Sequence, residues 1–341
     1  MRTLGYIASF FVVLVLFPST SHAQLLDNLN SVEITLSPEY PKPGQIVQAS
    51  VFLASENVRT ATIVWLLDDE IQQEGAGDDT FRFVAGGVGV PQALGVLVKM
   101  PSGQVFAKTL RVIPAEVTLV WEADTYTPPF YKGRSLYSSG SIIRAEAIPN
   151  FVDEEGRVYT SPELLYTWSK NGTVLGKMSG IASNAIVVEG PKFFGNFILS
   201  VEVSTPDGTQ ISQSAARIET VDPVIKVYER DPLVGVLYHN AIGSGYSFSG
   251  TSQFEVQAEP YFMDTPYPNN DSLRYSWSIN GSKVSSIDAR PSALLVQLLE
   301  EAPVTTTLRV VVDHARHLLQ TGESTSEVSF ESSARSSLFG F

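Results

Sequence analysis

His314 and His317 lie three residues apart behind an apolar run, a spacing at which two imidazoles can share a metal ion. No third or fourth ligand with suitable spacing accompanies them, so the pair reads as part of a solvated hairpin loop; His239 stands alone. Asp68-Asp69-Glu70, Asp78-Asp79 and Asp153-Glu154-Glu155-Gly156 offer the oxygen ligands that calcium takes. None forms an Asp-x-Asp-x-Asp-Gly loop, and they read first as solvated turns. Calcium is the one cofactor left open. Gly86-Gly87-Val88-Gly89 has no following Gly-Lys-Ser/Thr and no helix to cradle phosphate, so it reads as a flexible or bulged strand edge. There is no Gly-x-Ser-x-Gly elbow and no sign of a cleft for paired carboxylates. No catalytic, cofactor-binding or metal-binding residue is assigned, and the chain reads as a non-enzyme. Asn171-Gly172-Thr173, Asn270-Asp271-Ser272 and Asn280-Gly281-Ser282 match the glycosylation acceptor pattern, but two of these are better explained as turns.

A different chemistry is offered by aromatics. Thr125 to Gly133 (TYTPPFYKG) is long, aromatic and Pro-rich for a loop. Its counterpart in the third domain is Leu233 to Tyr246, and Glu259 to Pro268 (EPYFMDTPYP) lies in a second long insertion there. Tyr126, Phe130, Tyr131, Tyr261, Phe262 and Tyr267 are the candidate partner-contact residues, because such side chains offer area at small entropic cost. Two readings are open: these rings pack over domain junctions, or they form a partner-binding surface.

The elements that carry these loops repeat. Leu165-Tyr166-Thr167-Trp168-Ser169-Lys170-Asn171-Gly172 and Arg274-Tyr275-Ser276-Trp277-Ser278-Ile279-Asn280-Gly281 are each a Trp strand followed by a turn. Ile63-Val64-Trp65-Leu66-Leu67-Asp68-Asp69 is a decayed copy. Asn-Gly tolerates φ > 0 and closes a tight hairpin. Alternating strands flank each Trp strand, for example Gln45 to Phe52 before the first and Phe197 to Val203 after the second. Turns at Pro101-Ser102-Gly103, Pro206-Asp207-Gly208 and Gln320-Thr321-Gly322 lead to closing strands. The tryptophans recur at about 100 residues, the length of one immunoglobulin-like domain. The expected fold is all-β: three tandem immunoglobulin-like antiparallel β-sandwiches after an N-terminal signal peptide, with Trp65, Trp168 and Trp277 in the cores. Helix is nearly absent by this reading: Ser161-Pro162-Glu163-Leu164 fits one short turn before the Trp strand, and nothing longer is periodic at 3.6 residues.

Boundaries follow from the prolines: signal peptide 1–23, domains 24–114, 115–222 and 223–330, and a disordered tail 331–341. The linkers are short, which predicts a semi-rigid rod. Met1-Arg2-Thr3, the apolar Leu4 to Phe17 and the small-x-small Ser21-His22-Ala23 have the order of a secretory signal cleaved after Ala23. An uncleaved N-terminal anchor is the alternative. Leu294 to Leu299 is apolar but reads as a strand. The end Leu338-Phe339-Gly340-Phe341 reads as a docking peptide or as plain tail. The net charge of −13 and the lack of a basic patch argue against nucleic acid. Absence of Cys excludes disulfides and thiolate chemistry, and in an exported chain points to a bacterial source.

At Tyr166/Trp168 and Tyr275/Trp277 the chain resembles bacterial exported Ig-like and PKD-type repeat modules, whose equivalent strand carries Tyr-x-Trp. The Asp-Phe-Gly-Asp-Gly-like turn of that pattern is replaced by Asn171-Gly172 and Asn280-Gly281. The resemblance implies spacer, adhesion or binding roles. The expectation is an exported structural or interaction protein of the cell envelope, cell surface or periplasm-like space, displaying its domains for protein binding or adhesion. The alternatives are a carbohydrate- or calcium-dependent binding module, or an accessory subunit of a pilus or secretion assembly. The partner, protein or glycan, is unknown.

Overall fold

The computed structural model describes residues 32–54, 56–249, 253–297 and 304–331. The expected signal segment 1–23, the tail after Glu331, and Leu298 and Leu299 lie outside them. The chain separates into two compact units, 1–115 and 116–341.

The first unit is one sandwich of β1 (Val32–Ser37), β2 (Ile46–Leu53), β3 (Thr62–Leu67), β4 (Glu70–Ala76), β5 (Thr80–Val84), β6 (Gln92–Lys99) and β7 (Val105–Val112). Its sheets run β1-β2-β5 and β4-β3-β6-β7, with antiparallel pairs. Period-two alternation sends Val47, Ala49, Val51 and Leu53 of β2, and Leu94, Val96 and Val98 of β6, inward. They close on Trp65, which stacks on Phe81 with centroids 5.8 Å apart.

The second unit holds two sandwiches. One comprises β8 (Glu116–Ala123), β9 (Ile142–Asn150), β10 (Leu165–Lys170), β11 (Thr173–Val174), β12 (Gly180–Ile181), β13 (Ala185–Glu189), β14 (Asn196–Ser204) and β15 (Ile211–Glu219). Its sheets are β13-β9-β8 and β11-β10-β14-β15, with β12 on β10. The other comprises β16 (Val224–Asp231), β17 (Gly235–Ala241), β18 (Tyr246–Ser249), β19 (Gln253–Tyr261), β20 (Leu273–Ile279), β21 (Ser282–Val284), β22 (Ala293–Gln297), β23 (Val304–His314) and β24 (Thr321–Glu331). Here the sheets are β17-β16-β19-β22 and β18-β24-β23-β20-β21, with β18 parallel to β24. In all three sandwiches the Trp strand pairs with the penultimate strand, and that strand with the last. This is the immunoglobulin-like arrangement.

Two local devices recur three times. Trp65, Trp168 and Trp277 are each fully enclosed, yet the indole N–H finds a carbonyl in the loop ahead of the facing sheet's last strand. Trp65 donates to Asp78 O at 2.9 Å, Trp168 to Ser183 O at 2.7 Å, and Trp277 to Pro291 O at 3.1 Å. The turn after each Trp strand has two consecutive positive φ values: 53° and 65° at Asp68 and Asp69, 51° and 77° at Asn171 and Gly172, 47° and 80° at Asn280 and Gly281. The first residue's side-chain oxygen then accepts a backbone N–H from the neighbouring strand: Ala93 at 2.8 Å, Ile198 at 2.9 Å and Thr307 at 2.8 Å.

The structure corrects several local readings. Asp68-Asp69 is the structural equivalent of Asn-Gly, not a free acidic loop. Asp78 and Asp79 lend backbone carbonyls to Trp65 and Val51. Asp153 is held by Arg157 through its backbone N–H at 2.7 Å and its guanidinium at 3.0 Å. Gly86 to Gly89 is a turn after β5 rather than a strand edge, and Gly89 N–H donates to Pro114 O at 2.9 Å. Leu233 to Tyr246 is not a loop, because β17 occupies half of it and pairs with β16. Thr321 and Gly322 open β24 instead of turning, and the turn lies at 315–320. The one-turn helix before β10 is present as a 3-10 turn, Ser161–Glu163. There Glu163 accepts the N–H and hydroxyl of Thr160 at 2.7 and 2.8 Å, which with Arg157 holds its carboxyl down at about 2.

Candidate functional site

Within the second unit, the two sandwiches meet through the β8–β9 connection of one and the β16–β19 sheet of the other. Tyr126 exchanges backbone bonds with the third sandwich: its N–H donates to Met263 O at 2.8 Å, and Phe262 N–H donates to Tyr126 O at 2.7 Å. Its hydroxyl donates to Glu259 Oε2 at 2.5 Å. Tyr131 stands edge-on to Tyr261 and Phe262, at 5.8 and 5.7 Å. Tyr261 shares a 2.6 Å hydroxyl bond with Tyr228. Phe262 is buried with φ 65°. Phe130 contacts Tyr238 edge-on at 6.3 Å but remains 87% exposed, and Tyr267 is 53% exposed. Thus Tyr126, Tyr261 and Phe262 are spent on the contact between sandwiches, Tyr131 packs there but stays partly exposed, and Phe130 and Tyr267 present surface.

Glu259 is the chemical centre of this contact. It is fully enclosed, although a carboxylate at the end of an alternating strand gives no hint of that. Besides Tyr126, it accepts from Gln257 Nε2 at 2.7 Å and Tyr238 hydroxyl at 3.3 Å. Burial pushes its pKa up, and the three donors pull the other way. Burial, with Glu259 nearby, also raises Tyr126 and pushes Tyr238 up to about 12.

A second cluster closes the same junction. His314 and His317, expected in a solvated loop, are instead packed. His314 is 4% exposed, and the imidazole centroids are 4.5 Å apart. His317 Nε2 lies 3.0 Å from Asp264 Oδ2. Gln320 Nε2 donates to Ser139 O at 2.9 Å and Ser141 Oγ at 3.1 Å, and its Oε1 accepts Asp264 N–H at 2.8 Å. Among the described residues, no group of three or more His, Asp or Glu side chains is arranged to hold a metal ion.

Two hollows accompany these contacts. A cleft of about 380 Å³ at the junction is lined by Asp124, Thr125, Tyr126, Thr127, Asp264 and Thr265. Its two carboxylates already have basic partners, Arg144 at 2.7 Å and His317 at 3.0 Å. A groove of about 520 Å³ runs along β8, β9 and β13 past Val120, Glu122, Arg134, Arg144, Glu146 and Val187. Beside it the Arg134 guanidinium covers the Trp121 ring at 3.8 Å.

No protein-family model matches the chain, and no significant match exists among curated proteins. Solved structures do match. Three N-terminal domains of the bacteriophage RB49 Highly Immunogenic Outer Capsid protein (Hoc) share 14% identity, covering 89% of this chain and 98% of that one, with TM-score 0.26. Fibronectin(III)-like modules of Clostridium thermocellum CbhA share 14%, covering 55% and 94%, with TM-score 0.27. A Bacteroides ovatus SGBP-B structure in complex with a mixed-linkage heptasaccharide shares 12%, covering 88% and 70%, with TM-score 0.24. With TM-scores of 0.24 to 0.27, these likenesses add nothing to the fold read from the strand pairing and nothing about role.

Sequence reasoning missed Glu259, Gln320 and Trp121. Trp121 could have been found, since it is the one Trp of the four outside the threefold repeat. Glu259 and Gln320 carry no such signal, because partners such as Tyr126, Ser139 and Ser141 lie on the other sandwich, far away in the sequence. Among the described residues, no helix is long and apolar enough to cross a membrane.

Proposed function

We propose that the chain is an exported structural and interaction protein of the bacterial cell envelope or surface, of the Ig-like or PKD-type kind, that displays immunoglobulin-like domains for protein binding or adhesion. The observation that carries this reading is where the reactive-looking side chains are used. Tyr126, Glu259, His314, His317 and Gln320 bond across or beside the contact between two sandwiches, a use suited to fixed spacing rather than to turnover. Exposed rings such as Phe130 remain for contact with a partner. In-cell crosslinking from a photoreactive residue at Phe130 or Tyr267, followed by mass spectrometry, tests it. Reproducible capture of one envelope protein is expected. Capture of nothing from either position removes the protein-binding reading.

A second reading is a glycan-binding module, favoured by the junction cleft. Its carboxylates are each paired, Asp124 with Arg144 and Asp264 with His317, and keep acceptor lone pairs for the hydroxyls of an uncharged ligand. Retarded migration in polysaccharide gels, lost on Asp124→Asn, is the expected result for that reading. A melting-temperature rise in millimolar calcium would instead favour a metal-dependent form.

A further inference from the structure

We propose that the β23–β24 hairpin is an acid-sensitive clasp, which holds the second and third sandwiches together near neutral pH and releases them when His314 takes up a proton. His314 Nδ1 receives the backbone N–H groups of Arg316 at 3.1 Å and His317 at 2.9 Å. An imidazole nitrogen that accepts two donors carries no hydrogen of its own. The hydrogen therefore belongs to Nε2, which lies 2.9 Å from Asp264 O and donates to it. One neutral tautomer satisfies all three bonds. A second proton would have to occupy Nδ1, facing two N–H donors, and the hairpin tip would have to turn away.

That tip is what reaches the neighbouring sandwich. At Gly140 (φ 83°), a Cβ would come within 2.6 Å of His317 Nδ1, so the two sandwiches meet there with no room for a side chain. Three residues farther along, Gln320 ties Ser139 and Ser141 to Asp264. Tip conformation and docking are thus one arrangement.

The surrounding charges act in both directions. His317 and Arg316, on the same hairpin, oppose a positive His314. Asp264, on the β19–β20 connection, favours one. Ser139, Gly140 and Ser141, the docking residues of the second sandwich, carry no titratable group. Glu259, on β19, is engaged by Tyr126, Tyr238 and Gln257. Burial, followed by His317, leaves the His314 pKa below its ordinary value. A released hairpin returns His314 to water and to an ordinary value of about 6.5. Below that pH the released population grows by up to about tenfold per unit for one proton. This device is independent of what the protein binds.

The chain has no cysteine, so two labels can be placed without background. Gln213→Cys on β15 and Lys283→Cys on β21 are exposed positions on the two sandwiches. Pulsed dipolar spectroscopy of the full doubly labelled chain should give one narrow distance at pH 7.5 and an additional broad population at pH 5.5. His314→Gln, whose amide can accept at one atom and donate at the other, should keep the narrow distance at both. An unchanged distribution in the parent, or the same acid change in H314Q, overturns the proposal. Should H314Q not fold, imidazole proton shifts of the parent decide. His314 must titrate in step with the distance change, and titration without that change sinks the idea.

Discussion

Trp168 shows how much a single side chain carries. It is fully buried between two sheets, and its indole N–H is satisfied only by Ser183 O. Trp168→Ala should cost about 3–5 kcal/mol, read by urea denaturation, because the void is lined by packed side chains that cannot collapse. Tyr126→Phe tests a different cost. It removes one of three donors from an enclosed carboxyl and should destabilise the second unit by about 1–3 kcal/mol in the same assay. Tyr267→Ala, at a half-exposed ring, should change stability by less than about 0.5 kcal/mol. Equal losses for Tyr126→Phe and Tyr267→Ala would mean that the hydroxyl bond to Glu259 contributes nothing.

Among elements, the threefold hairpin invites comparison with itself. Two copies place Asn-Gly in the left-handed turn, and the first sandwich places Asp68-Asp69 there. Asp69 holds a Cβ at φ 65°, a conformation that costs non-glycine residues about 1 kcal/mol. Asp69→Gly should therefore raise the melting temperature of the first unit, whereas Asp68→Ala should lower it by removing the acceptor for Ala93 N–H. The Trp strands and this turn were legible in the residues, since alternation and Asn-Gly are local signals. The β17–β18 segment was not. β18 forms by pairing with β24, far along the chain, and β17 pairs with the neighbouring β16 through a register shift between Tyr228 and Arg230, so the Tyr, His and Gly content of the segment reads as a loop when taken alone.

For the unit 116–341 as a whole, pH should reveal two opposed ionisations. His314 is held below its ordinary 6.5 by burial, so its contribution is present at neutral pH and is lost as pH falls through 6.5. Glu259 is held above its ordinary 4.5 by burial, so its contribution is present below 4.5 and is lost as pH rises. The melting temperature of the second unit should thus have opposing slopes between those values. Glu259→Gln should steepen the acid-side loss, and His314→Gln should flatten it, in thermal scans from pH 4 to 8. A profile identical in all three proteins would show that neither group is coupled to folding.

Strand periodicity, the recurring tryptophans and the turn residues were enough to determine an all-β chain of immunoglobulin-like sandwiches, because each signal acts over a few neighbouring residues. Which aromatics face a partner and which face the chain itself was decided only by tertiary structure. Tyr126 and Glu259 are 133 residues apart, and no local pattern links them. The same holds for His314 and His317: spacing suggested a loop open to water, and packing against Asp264 and Gly140 made them part of a contact between sandwiches. Burial of polar groups at a domain junction depends on which surfaces meet, and that information resides in the fold rather than in any one segment.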